Sequence, residues 1–351
     1  MTPPRAPGSD RGRPAAAPPP ALRLTGGIVA FNEERGIGRA IDSLLGQRLP
    51  EGIVWDRVWV VASGCEDRTE EVARTAAARD PRLGLVVEPD RGGKARALGQ
   101  VFRRAEGDLV VLLNADAEAA PDAVARMVAA ARGHPPPFAV MARPVVPGVA
   151  ETPWDRSVRL MWAIHDELHR ELLGAGTGTH VADELLLVSR PGVPPLPEGI
   201  INDGSYLGAA IRRCGGSLLY APEARVAIDV PRSLGDHLVQ RRRIHVGHLQ
   251  VRELLGVPPT TISRFARRDP LRAVRLLRRT VPPGLSGAAS LAGLAGAEAL
   301  AAMLSLWDRG PLGRSDPVRW QRIGARAPPP RRSGPADVRT DPRRTAADPD
   351  G

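Results

Sequence analysis

The run LVVLLN at 109–114 is wholly apolar until it stops at Asn114-Ala115-Asp116. A carboxylate at the carboxyl end of a buried strand projects into the crevice where open α/β sheets bind ligands. There it can hold a divalent cation that bridges two phosphates of a nucleotide. A lone aspartate after a strand is more often a turn former or helix cap, but the neighbouring strand ends argue against that reading. VAF at 29–31 runs into Asn32-Glu33-Glu34, WVVA at 59–62 into Ser63-Gly64-Cys65-Glu66-Asp67, and GLVVE at 84–88 into a segment that ends at Lys94. Small polar and acidic residues therefore collect at consecutive strand ends.

The elements that must hold these residues follow from the pattern. TGGIVAF (25–31), WVVA (59–62), GLVVE (84–88) and LVVLLN (109–114) read as strands. They alternate with helical stretches after Asn32, from Thr69, from Lys94 and from Pro121. Short continuous apolar runs separated by helices imply an α/β fold, with a mostly parallel sheet covered by helices on both faces.

With 351 residues, 42% of them hydrophobic, the chain can bury a substantial core. Two cysteines, Cys65 and Cys214, exclude a disulfide framework, and the first twenty residues lack the apolar stretch of a signal peptide. A cytoplasmic protein is expected. The formal charge of +10 raises nucleic acid as a partner, but aromatics make up only 3% and no recognition motif is present, so none is expected.

Nearly all of the excess charge sits in one stretch. Between Gln240 and Arg279 there are eleven arginines against Glu253 and Asp269. Residues 284–307 follow as an apolar helix with Glu298 as the only charge. A basic stretch beside an apolar helix suits an anionic membrane surface, peripheral to or anchored in the inner face of the cell membrane. A helix packed on the domain with a solvated basic flank accounts for the same pattern. The expected organisation is a low-complexity tail at 1–20, a catalytic domain at 21–255, a helical membrane-associated region at 256–326 and a second tail at 327–351.

In order along the chain, these residues resemble the family-2 inverting glycosyltransferases with a GT-A fold. Asn32-Glu33-Glu34 resembles the N-E-E after the first strand, Ser63 to Thr69 the D-G-S-x-D-x-T loop, and Gly93-Lys94-Ala95-Arg96-Ala97-Leu98 the G-K-x-x-A-L segment. Asn114-Ala115-Asp116 resembles the metal-binding D-x-D, GIINDGSYLG at 199–208 the E-D segment, and QRRRI at 240–244 the Q-x-x-R-W motif of the membrane-associated branch. The resemblance implies Asp203 as catalytic base and Asp116 as ligand to Mn or Mg. It implies donor-nucleotide contacts at Phe31, Asn32, Glu33, Ser63, Asp67, Lys94, Asn114 and Ala115, and a diphosphate or acceptor loop with Gln240 and Arg243. The implied donor is a UDP- or GDP-sugar and the acceptor a lipid-linked or polysaccharide molecule. The chain departs from the family at Asn114, Ser63, Asn202 and Ile244. The last of these stands in place of Trp, which favours single over processive transfer.

These residue types suit the chemistry on independent grounds. Displacing a nucleoside diphosphate from a sugar needs a cation for the leaving group and a carboxylate to take the acceptor proton. A non-catalytic membrane-surface protein on a decayed glycosyltransferase fold is the alternative reading. A sugar-1-phosphate nucleotidyltransferase is less suited, because Asn32-Glu33-Glu34 stands where it would need a basic glycine-rich loop. HDELH at 165–169 lacks the glutamate of a zinc protease and reads as part of an amphipathic helix over 154–173. GIGRAI at 36–41 lacks the third glycine of a dinucleotide fingerprint, and GGK at 92–94 lacks the rest of a phosphate loop.

Overall fold

The structure is a computed structural model and describes residues 21–308; the expected tails at 1–20 and 327–351 lie outside the described residues. The elements in chain order are β1 (Leu22–Ala30), α1 (Ile37–Leu45), β2 (Ile53–Ser63), α2 (Thr69–Arg79), β3 (Leu83–Glu88), α3 (Lys94–Arg104), β4 (Leu109–Asn114), β5 (Ala117–Ala119) and α4 (Ala123–Ala131). They continue as β6 (Phe138–Val145), α5 (Pro153–Gly174), β7 (Leu185–Ser189), α6 (Asp203–Arg213), β8 (Ser217–Ile228), α7 (Leu234–Leu255), α8 (Ile262–Arg268), α9 (Pro270–Thr280) and α10 (Leu285–Asp308).

The expected alternation of strands and helices is present, and α2, α3 and β4 begin at the residues expected. The helix after Asn32 begins only at Ile37, and the one after Pro121 at Ala123. The eight strands form one sheet in the order β3-β2-β1-β4-β7-β6-β8-β5. β1, β2, β3 and β4 are parallel, whereas β7 runs antiparallel to both β4 and β6, and β5 antiparallel to β8.

Alternate residues of the central strands feed two separate cores. Leu109, Val111 and Leu113 of β4 pack with Ile37, Ile41 and Leu44 of α1 and with Val124 and Met127 of α4. Val110 and Leu112 pack with Leu98 and Val101 of α3 and with Leu207 and Ile211 of α6. A strand buried on both faces has no polar positions to spare, which is why LVVLLN reads as an unbroken apolar run. Each fully buried Val or Leu contributes about 1.5–3 kcal/mol.

The C-terminal helices are built onto this body. Val158, Met161, Ile164 and Leu168 of α5 pack with Phe265 of α8, Leu276 of α9 and Leu294 of α10. Thr152 and Asp155 form a capping box that starts α5. Among the described residues, α10 alone is long and apolar enough to cross a membrane. It leaves Leu285, Met303, Leu306 and Trp307 exposed.

Candidate active site

The carboxyl ends of β1, β2 and β4 open onto one cleft, and helix starts surround it. Gly36, just before α1, abuts the strand-end turn: a Cβ there would lie 2.7 Å from the Ala115 carbonyl oxygen and 3.3 Å from Asp116 Cα. Only glycine allows that approach. Asn32 has φ of 54° and its Oδ1 accepts from the Glu66 amide at 2.8 Å, which ties the first strand end to the second. Asp67 accepts from the Glu34 amide at 3.1 Å and the Thr69 amide at 2.9 Å. Both residues brace the loops. Glu33 is buried, and its amide donates to Thr69 Oγ1 at 2.6 Å.

A small open pocket lies between these loops, lined by Phe31, Ser63, Arg91, Gly93, Lys94 and their neighbours. The Arg91 guanidinium lies 3.7 Å from the Phe31 ring centroid, a cation-π stack at the pocket wall. Ser63 Oγ donates to Glu88 at 2.7 Å, and Gln100 donates to the other oxygen of Glu88 at 3.0 Å.

Asp203 sits in the first turn of α6, but it does not cap that helix. Asn202 does, accepting from the Ser205 amide at 2.9 Å. The Asp203 carboxylate is free to face Lys94, whose Nζ lies 3.1 Å from it. Lys94 also bonds Asp183. Asp183 and Glu184 were not among the expected site residues. They precede β7, and because β7 runs antiparallel to β4, its amino end meets the carboxyl end of β4. Leu113 pairs Leu185, and the Asn114 amide donates to the Glu184 carbonyl at 3.1 Å. An acidic pair directly before an apolar run was the available signal.

The charges sort themselves by burial and proximity. Burial disfavours the Lys94 charge, but Asp183 and Asp203 outweigh it and hold the ammonium well above the usual lysine range. Burial would raise Asp183, yet the Lys94 charge brings it down to about 2. Burial and then the Asp183 charge push Asp203 up to about 6. Burial and Asp183 likewise push Glu184 up to about 8.

Asp116 is partly exposed on the cleft floor, and burial is the main cause that raises its carboxyl. Asp229 adds to this rise, because Ala117 pairs Ile228 across the β5–β8 ladder and the two aspartates sit at its end. Among the described residues, no group of three or more His, Cys, Asp and Glu side chains is assembled as a metal site. Still, Glu184 Oε2 is buried without a hydrogen-bond partner, and the Asp229 and Asp183 charges add to the rise at Asp116 while Lys94 counters it. An oxygen-rich, charge-deficient floor fits a hard cation of the Mg²⁺ type, which binds through one or two carboxylates plus phosphate oxygens.

Helix α7 closes the other side. Gly247 lets it approach α6, since a Cβ there would lie 2.6 Å from Asn202 Cβ. Gln250 accepts from the Ile201 amide and donates to the Gly199 carbonyl, both at 2.9 Å, which fixes the segment leading to Asp203. The arrangement brings Arg243 to the cleft, where burial lowers its guanidinium and Asp203, Asp183 and Asp116 oppose that lowering. Gln240, one turn earlier, is partly exposed. HDELH lies in α5 as expected; its Asp166 pairs with Arg143 at 2.9 Å and Arg170 at 3.1 Å and accepts from Tyr220, a packing role.

Residues 27–190 match the profile of Glycosyl transferase family 2. The chain is 34% identical over 107 residues to glycosyltransferase AglD of Haloferax volcanii, covering 30% of this chain and 17% of the relative. It is 32% identical over 131 residues to a β-monoglucosyldiacylglycerol synthase of Synechocystis, covering 36% of this chain and 26% of the relative. The chain thus spans about a quarter or less of the length of these two relatives. In three dimensions it is similar to a mannosyltransferase from Pyrobaculum calidifontis solved with GDP-Man and Mn²⁺. That similarity has a TM-score of 0.56 at 23% identity and covers 85% of this chain and 92% of the other. The fold is GT-A.

Proposed function

We propose that this chain, with its glycosyl transferase family 2 domain at residues 27–190, is an inverting, metal-dependent glycosyltransferase that moves a sugar from a UDP- or GDP-sugar to an acceptor at the membrane. The observation that carries the reading is the largely buried Lys94–Asp183–Asp203 cluster, with Asp203 at its closed end, facing the strand-end Asp116 across one cleft.

The donor nucleotide occupies the pocket between Phe31, Ser63 and Arg91, with its diphosphate toward Asp116. Asp116, with Asp229 beside it, would hold Mn²⁺ or Mg²⁺. When bound, that ion neutralises the leaving diphosphate. Asp203 takes the proton of the acceptor hydroxyl. The acceptor oxygen bonds to the anomeric carbon as the bond from that carbon to the diphosphate breaks, and the electron pair leaves with the nucleoside diphosphate. Lys94 keeps Asp183 ionised and leaves Asp203 basic enough to accept a proton near neutrality. Arg243 faces the same carboxylates and is placed to hold diphosphate oxygens in a bidentate grip.

An acceptor at the membrane is supported by the surface of the C-terminal helices. Exposed arginines at 264, 267, 268, 272, 275 and 278 stand beside exposed Leu271 and Val274 of α9 and the apolar face of α10. Glu298, the one charge within the apolar run, faces inward to Arg241 at 2.7 Å, so residues 285–307 present an uncharged outer face. The relative named as a β-monoglucosyldiacylglycerol synthase is consistent with a lipid acceptor. The cytoplasmic face of the membrane is the side that offers anionic lipid to such a surface. Release of nucleoside diphosphate from a panel of UDP- and GDP-sugars, with and without Mn²⁺, tests the reading. Absence of turnover with every donor in the presence of membrane lipids overturns it in favour of a non-catalytic membrane-surface protein.

A further inference from the structure

Helix α7 is polar nearly all round. Of its 22 residues, the only apolar side chains that it buries are Val246 and Val251. A helix with so little apolar anchorage takes its seat from polar contacts. At about 3.6 residues per turn, His237, Arg241 and His245 lie along one side of it, and Gln240, Arg243, Gly247 and Gln250 along the other. We propose that Glu298 of α10 is a positioning residue for the cleft: it clamps the first side of α7 and thereby sets where the second side carries Arg243. The proposal rests on the transferase reading for what Arg243 grips, and on the helix contacts alone for the clamp.

Glu298 meets three side chains of α7 that stand four residues apart. Its Oε1 lies 2.7 Å from Arg241 Nε and 3.3 Å from His237 Nε2, and its Oε2 lies 3.5 Å from His245 Nε2. The contact is shielded from water: His237 is wholly buried and the Arg241 side chain is 12% exposed. One carboxylate therefore ties two turns of α7 to one point on α10. That point is itself fixed. Leu294, one turn earlier on α10, packs into the core that α5 forms with α8 and α9, and Trp154 of α5 stands edge-on to His237 at 4.9 Å. Glu298 is also the single charge between residues 285 and 307, so no other side chain there can form this ion pair. A carboxylate set in an apolar helix is costly unless it is paired, and here its partners all belong to α7.

The second side of α7 is where its register matters. Gly247 comes so close to α6 that a Cβ would lie 2.6 Å from Asn202 Cβ, and Gln250 holds the backbone of Gly199 and Ile201. Both contacts lie C-terminal to Arg243, and the clamp carries the hold past it to His237. Arg243 thus stands within the clamped turns, on their far side. Burial lowers its guanidinium, and Asp203, Asp183 and Asp116 all oppose that lowering, which places it among the carboxylates of the cleft. A guanidinium grips phosphate oxygens bidentately only in a narrow geometry. Loosening the helix that carries it therefore costs affinity for the diphosphate and leaves the nucleoside contacts alone. The helix that faces outward with Leu300 and Met303 is in this way also the one that seats α7.

The test compares the wild-type full chain with Glu298→Gln and Arg241→Gln, which remove the ion pair from either helix. Calorimetric titration in Mn²⁺ follows UDP or GDP, whichever the wild type binds more tightly, and the corresponding free nucleoside by displacement. Each variant is expected to bind the diphosphate about tenfold more weakly with nucleoside affinity within about twofold, and Glu298→Gln to add less than about twofold once Arg243→Met is present. Hydrogen exchange over residues 237–247 is expected to quicken about tenfold or more in both variants. Unchanged diphosphate affinity in both variants overturns the proposal. So does an equal loss for nucleoside and diphosphate, or the full loss retained on top of Arg243→Met, since a merely structural role gives either result. Where a glutamine variant does not fold, Glu298→Asp, which keeps the charge at shorter reach, is read against the same criteria. If the wild type binds no nucleoside diphosphate, the transferase reading falls and exchange decides the clamp: quickened exchange sustains it and unchanged exchange overturns it.

Discussion

Lys94 Nζ lies 3.1 Å from the Asp203 carboxylate and binds Asp183 at the same time, so one part-buried ammonium serves two carboxylates. The sharing is unequal. Asp183 takes most of the benefit and falls to about 2, which leaves Asp203 raised to about 6 by burial and by the Asp183 charge. Two acids in one cluster are thereby given different states near neutrality, one fixed as an anion and one poised to take a proton.

The rate of transfer should carry this titration. A general base acts only when deprotonated, so kcat/KM should climb as pH rises through about 6, the value to which Asp203 is pushed, and level off above it. A pH profile recorded with a saturating divalent ion checks this. A flat profile between pH 5 and 8 would contradict the assignment.

Lys94→Met should move that rising limb to higher pH by about one unit or more, because the ammonium is what opposes the rise at Asp203. It also leaves Asp183 and Asp203 buried without their cation, which should destabilise the fold by about 3–5 kcal/mol. Urea unfolding at pH 8 measures the second effect, and the pH profile of the folded variant measures the first.

Asp116→Ala should abolish Mn²⁺-dependent nucleotide binding, while Asn114→Asp should keep or tighten it by adding a second hard oxygen ligand one residue from Ala115. Calorimetric titration of the diphosphate with and without Mn²⁺ separates the two. Undiminished metal-dependent binding in Asp116→Ala would sink the metal assignment.

The chain should sediment with phosphatidylglycerol vesicles more strongly than with phosphatidylcholine vesicles, and less so as salt rises, since each arginine near an anionic surface contributes about 1 kcal/mol. Met303→Glu with Leu306→Glu, both at exposed positions of α10, should reduce that binding about tenfold without loss of nucleotide affinity. Equal partition onto the two vesicles at low salt would count against the basic surface.

The first half of the fold was legible because its strands are short, apolar and separated by amphipathic helices; LVVLLN, Thr69 and Lys94 begin their elements where the pattern places them. The direction of β7 was not legible. LLLVS has the composition of any buried strand, and only its reversal beside β4 carries Asp183 and Glu184 into the cleft. Asn202 was read as a departure from an acidic pair; in the structure it caps α6 and so frees Asp203 from that task. Asn32 and Asp67 were expected as nucleotide contacts; that their side chains also tie the first and second strand-end loops together was not legible, because it depends on how the two loops meet. HDELH was visible as a pair of histidines one helical turn apart, but the approach of His180 and His248 to it was not, since they lie on separate elements and meet only in the folded chain.

The most direct test of the account is Asp203→Asn, assayed for sugar transfer to a membrane-lipid extract and, on the same preparation, for donor affinity in Mn²⁺. Asn keeps the size of the side chain and removes its basicity, and the helix cap is unaffected because Asn202 supplies it. Donor affinity should stay within about twofold of wild type while transfer falls by about a hundredfold or more. Transfer at the wild-type rate by Asp203→Asn would contradict the central claim, that this buried carboxylate beside Lys94 is the base.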